Sequence, residues 1–76
     1  MKNRYRNGIC FIPRSANGEY RYTVTQIGNI LGEVRQCSDG TSFGTTWKFQ
    51  QEQRNNTWLS VQDLEAIAYL CAEMNM

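Results

Sequence analysis

The run EYRYTVTQI (residues 19–27), followed by Gly28-Asn29 and then ILGEVRQC (residues 30–37), decides the fold. Tyr20, Tyr22 and Val24 alternate with Arg21, Thr23 and Thr25, and this period of two suits an extended chain with one buried face. The same rhythm puts Ile30, Gly32 and Val34 opposite Glu33 and Arg35, with Gly28-Asn29 as the turn between the two runs. Upstream, Gly8 to Pro13 (GICFIP) is a short apolar run that the only proline closes, because proline has no ladder donor. Asn17-Gly18 then signals a tight hairpin. Downstream, Ser38-Asp39-Gly40 reverses the chain. Phe43, Thr45, Trp47 and Phe49 then alternate with Thr46, Lys48 and Gln50. None of these connections is long enough for a parallel crossover, so the strands pair as an antiparallel meander.

The C-terminal third changes period. After the polar stretch 51–59, Ser60 stands where an N-cap belongs, its hydroxyl placed to accept from the Asp63 amide, and Asp63 where a carboxylate suits the helix N-terminus, with Leu59 and Leu64 spaced as a hydrophobic staple. Val61, Leu64, Ile67, Ala68, Cys71 and Met74 recur at helical spacing, and Leu70 widens the apolar stripe. The expected architecture is α+β: a three- to four-stranded antiparallel sheet with one C-terminal helix packed on one face. It forms one domain over residues 1–76, with a flexible basic arm at 1–7, strands within 8–50, a linker at 51–59 and the helix at 60–74. The expected core is Tyr20, Tyr22, Val24, Ile30, Val34, Phe43, Trp47 and Phe49 from the sheet, with Leu64, Ile67, Ala68 and Cys71 from the helix and Ile9 or Phe11 from the first strand.

A chain of 76 residues, 41% apolar and 20% charged, suits one small core, and no apolar run approaches a membrane span, so no membrane partner is expected. The net charge is only +1, but it is unevenly spread. Lys2, Arg4, Arg6, Arg14, Arg21 and Arg35 face two acids in the first 35 residues, and the remainder is acidic. There is no histidine, which removes the common imidazole-based nucleophile pairs. No pair of carboxylates has diagnostic spacing, and there is no phosphate-binding glycine pattern, so neither an enzyme nor a cofactor is expected. Cys10, Cys37 and Cys71 are odd in number and lie far apart, and with no histidine they do not make a zinc site. They read as structural free thiols in a reducing cytoplasm. Asn55-Asn56-Thr57 matches a glycosylation acceptor by chance.

Two surfaces are candidates for binding. The first is basic: Arg4 and Arg6 in the arm, with Arg21, Arg35 and Lys48 on the open sheet face among threonines and Gln50. These cations could meet phosphates or an acidic protein patch, or they could form cross-strand ion pairs with Glu33. The second is the outer helix surface of Glu65, Tyr69 and Glu73. Tyr5 between Arg4 and Arg6 invites direct nucleic-acid contact, but the sheet aromatics share the parity of the core and are withheld from base stacking.

The order Ile30-Leu31-Gly32-Glu33-Val34, Asp39-Gly40, Trp47-Lys48-Phe49 and Trp58-Leu59-Ser60 before a terminal helix resembles the sheet-then-helix layout of small phage and mobile-element accessory proteins. Anti-CRISPR and other anti-defence inhibitors are among these. The resemblance covers residues 20–74 and carries no functional residue across. It implies a stoichiometric mode: occlusion of a surface on a host protein or protein–nucleic-acid complex in the host cytoplasm, without catalysis. A nucleic-acid-binding regulator is the alternative, and a homodimer stays open.

Overall fold

The computed structural model describes residues 2–16, 19–38, 40, 44–53 and 58–75. The Asn17-Gly18 turn, Asp39, Phe43 and the stretch 54–57, with its Asn55-Asn56-Thr57 triplet, lie outside the described residues. The elements are β1 (Arg4–Arg6), β2 (Ile9–Ala16), β3 (Glu19–Gln26), β4 (Asn29–Ser38), β5 (Thr45–Gln51) and α1 (Val61–Met74). Each strand pairs antiparallel with the next, in the order β1-β2-β3-β4-β5. The α+β class and the C-terminal helix are as expected. Among the described residues the sheet has five strands, not three or four.

The extra strand comes from the arm. Arg4, Tyr5 and Arg6 pair with Phe11, Cys10 and Ile9 across a tight turn in which Asn7 and Gly8 both take positive φ. The segment is too short and too polar to show a period, so only its partner strand reveals it. Pro13 does not close β2, which continues to Ala16. β1 ends opposite Phe11, so from Ile12 onward β2 is the sheet edge, where a missing donor costs no ladder bond. The next turn falls one residue earlier than expected. Ile27 and Gly28, both at positive φ, connect Gln26 to Asn29. Ile27 is β-branched and 92% exposed in this strained region.

The core holds Ile9, Phe11, Tyr22, Val24, Leu31, Val34, Ala66, Ile67 and Leu70, with Trp47, Phe49, Leu59, Cys71 and Met74 packed against it. Both Ile9 and Phe11 are buried. Tyr22 packs edge-on to Trp47 at 5.4 Å and tilted against Phe11 at 5.9 Å, so these rings all turn inward. Tyr20, Ile30, Leu64 and Ala68, expected inside, are exposed. Ile30 is displaced by a bulge: Val24 pairs with Gly32 but Thr25 with Ile30, so Leu31 is the additional residue and enters the core instead. The carbonyl of Leu31 accepts from the Glu52 amide at 2.9 Å, which employs the bulge to extend the β5 end.

Rotation of the helix explains Leu64 and Ala68. Ser60 caps the helix as expected, its Oγ accepting from the Asp63 amide at 3.0 Å, and the Ser60 amide completes a capping box by donating to Asp63 Oδ2 at 3.3 Å. Gln26 Nε2 also donates to Asp63 Oδ1 at 2.9 Å, which turns Asp63 towards the sheet. At the other end the Trp47 amide donates to Asn75 Oδ1 at 2.7 Å. With both ends tied, the inward stripe runs through Asp63, Ala66, Ile67, Leu70 and Met74, while Val61, Leu64 and Ala68 face out. α1 touches β1 and β5, the two sheet edges, so the sheet curls around it.

At Gly32 the backbone of β5 comes close to β4. A Cβ there would run into the Gln50 carbonyl oxygen and lie 2.9 Å from Phe49 Cε1. The first obstacle is backbone, so β5 would have to move. Gly32→Ala is expected to destabilise the fold by about 1–3 kcal/mol, read as a lower urea midpoint at unchanged slope. A midpoint equal to wild type would refute the close approach.

Candidate binding face

The register assembles the outer face of the sheet row by row. Arg14 lies opposite Arg21, Arg21 opposite Arg35, and Arg35 opposite Lys48. Four cations therefore stand in line across β2, β3, β4 and β5, at the roughly 4.8 Å strand spacing, over about 14 Å. The row beside it is Ile12, Thr23, Glu33 and Gln50, and the next is Tyr5, Cys10, Thr25 and Ile30. The face thus grades from cationic, through mixed, to apolar, and Tyr5, Ile12 and Ile30 are all exposed on it.

Like charges directly opposite on a sheet repel, each pair costing on the order of 0.2–1 kcal/mol. One acid offsets part of this. Glu33 Oε1 takes the Arg35 Nε at 2.8 Å and Glu33 Oε2 lies 3.9 Å from Arg21 Nη1. The cross-strand pairing expected for this face is therefore present for Arg21, while Arg35 pairs with Glu33 along its own strand. Among the described residues Arg14 and Lys48, at the two ends of the row, are exposed and have no acidic partner.

Of the five basic candidates, Arg21, Arg35 and Lys48 come together and Arg4 and Arg6 do not join them. Opposite Phe11 and Ile9, the two arginines of β1 point to the helix side. Arg4 Nη1 is 3.4 Å from Glu73 Oε2, and the Arg6 guanidinium carbon sits 3.4 Å over the Tyr69 ring centroid. The arm thus occupies two residues of the alternative helix surface, while Glu65 stays exposed. An exposed ion pair contributes about 0–1 kcal/mol and an exposed cation–π contact about 0.5–1, so these contacts fasten β1 only lightly.

Arg14 belongs to the row although it is not among the expected site residues, since a strand that closes at Pro13 excludes it. The signal was available. With Asn17-Gly18 as a two-residue connection, counting outward from Ala16 and Glu19 brings Arg14 opposite Arg21.

The three thiols are free and half-buried on separate elements. Among the described residues no three His, Cys, Asp or Glu side chains converge in a way that could hold a metal, and no helix is long and apolar enough to cross a membrane. Compared with known proteins, the chain matches no family model, no curated protein and no solved structure.

Burial pushes the Cys71 thiol up from 9.0 to about 11. A group whose folded pKa stands above its unfolded value stabilises the fold fully below pH 9, and that contribution is lost as pH rises through 11. Cys71→Ala lacks it. The stability gap between wild type and Cys71→Ala, measured in urea, is expected to narrow from pH 8 to pH 11; a constant gap would show that burial does not hold the thiol protonated.

Proposed function

We propose that this chain is a non-catalytic binding protein that lays its outer sheet face on an acidic protein surface and acts by occluding it. The observation that carries the reading is the in-register row of Arg14, Arg21, Arg35 and Lys48. Its repulsion lowers stability, and an anionic partner relieves it. Guanidinium groups suit bidentate contact with carboxylates. The remainder of the face favours protein over a phosphate backbone, since exposed Ile12, Ile30 and Tyr5 offer apolar contact. The mode matches that of the small mobile-element inhibitors the layout resembles, in which a rigid surface blocks a host component in the cytoplasm.

The test uses poly-glutamate and a 20-base-pair DNA duplex as probes. Wild type is expected to bind poly-glutamate in a salt-sensitive manner, and Arg14→Glu with Lys48→Glu to weaken it at least tenfold. Arg14→Glu sets an acid opposite Arg21, so the same variant should be equally or more resistant to urea, by up to about 1 kcal/mol. Lost binding with retained stability marks a functional row. Duplex binding with no poly-glutamate binding would replace this reading with nucleic-acid recognition, and binding unchanged by the charge reversals would remove the row from function.

A further inference from the structure

The outer face is not flat. Between the cation row and the apolar row lies a depression of about 450 Å³, bordered by Arg14, Thr23, Ile30, Glu33, Gln50 and Glu52. Gly32 contributes to its lining through the backbone of β4. The volume accepts one large side chain. We infer that the depression is an anchor site for a tyrosine of the partner, set among carboxylates that meet the cation row. This rests on the reading that the row binds an acidic protein surface, and it names the chemistry of that surface.

Three features select the phenol. Ile30, 47% exposed, gives the ring an apolar wall. Arg14, at the rim and without an acidic partner among the described residues, offers a planar guanidinium that can stack on the ring face. Glu33 and Glu52, with the Gln50 amide, supply acceptors for the phenol O–H. A lysine anchor would also find carboxylates here, but Glu33 already serves Arg21 and Arg35, and Arg14 at the rim repels a second cation. A carboxylate anchor would meet Glu33 and Glu52. The neutral amphipathic ring fits both the charge and the lining. A buried aromatic in a pocket, ringed by charged contacts, is also the arrangement by which few residues carry most of an interface's affinity.

The experiment compares two probes, poly-glutamate and the glutamate–tyrosine random copolymer, by fluorescence anisotropy on the full chain. The copolymer is expected to bind about tenfold tighter. Thr23→Trp, which fills the depression from its floor, should bring the copolymer down to the poly-glutamate level and leave poly-glutamate unchanged; Gln50→Trp fills it from the β5 wall and serves where Thr23→Trp lowers the melting temperature. Lys48→Glu should weaken both probes equally. Equal affinity for the two polymers in wild type, or a tyrosine preference that survives both filling variants, overturns the anchor while leaving the row's reading intact. Failure of both polymers to bind overturns the two together.

Discussion

The whole structure depends on how one helix occupies the seam of a curled sheet. A five-stranded antiparallel sheet with a single apolar face has two open edges and more inward surface than a flat layer can cover. Here α1 is tied at its start to the end of β3 through Gln26 and Asp63, and at its finish to β5 through Trp47 and Asn75. Arg4 and Arg6 bring β1 against its C-terminal half. Both edges therefore end on the same helix. Closing the seam buries Ile9, Phe11, Val24 and Val34 completely and occupies the Trp47 amide, an edge donor that another chain could otherwise pair with. Within the sheet, β5 lies so close to β4 that Gly32 has no room for a side chain.

Closing the sheet inward fixes what it presents outward. Side chains on strands alternate strictly, so residues opposite one another on neighbouring strands share a face. Once Phe11, Tyr22, Val34 and Phe49 are committed to the helix, the flanking positions must face water. That forces Arg14, Arg21, Arg35 and Lys48 into one line with no freedom to disperse. A fold needing only solubility gains nothing from cations in direct register, because charges of both signs interspersed would serve better. The central Glu33 relieves two of the four and leaves the ends of the row to solvent. Side chains carried on strand backbone are also held more rigidly than on a loop, so the row keeps its geometry.

Much of the fold was legible because its signals are local and repeated. Alternation in residues 19–27 and 30–37, the Ser60 N-cap and the inward parity of Tyr22, Trp47 and Phe49 all follow from spacing alone. What escaped depended on contacts between distant segments. Three residues of β1 have no period of their own and exist as a strand only beside Ile9 to Phe11. The bulge at Leu31 exchanges Ile30 for Leu31 without changing composition, so no pattern in the strand announces it. The helix carries two adjoining apolar stripes, and hydrophobicity could not choose between Leu64-Ala68 and Ala66-Leu70. Two polar tethers made the choice. Arg14 was lost for a simpler reason: a proline ends a strand only where a neighbour needs its donor, and past Phe11 β2 has no such neighbour.

The same geometry corrects the meaning of the charge asymmetry along the chain. Six of the eight cations fall in the first 35 residues, which suggests a single basic surface. Strand parity divides them. Arg4 and Arg6 sit opposite Ile9 and Phe11, turn to the helix and meet Glu73 and Tyr69, so they act in cohesion of the fold. Arg14, Arg21 and Arg35 sit opposite one another on the outer face and gain Lys48 from the acidic half of the chain. A weak net charge of +1 therefore coexists with a dense local field, because the acids of α1 lie on the far side of the sheet from the row. Charge reversal in β1 acts on the helix contacts that fasten that strand, and charge reversal in the row acts on the face turned to solvent. On that outer face Glu33 has two parts: its carboxylate holds two arginines in place while standing at the wall of the depression, so it orders the row and contributes to the polarity of the cavity beside it.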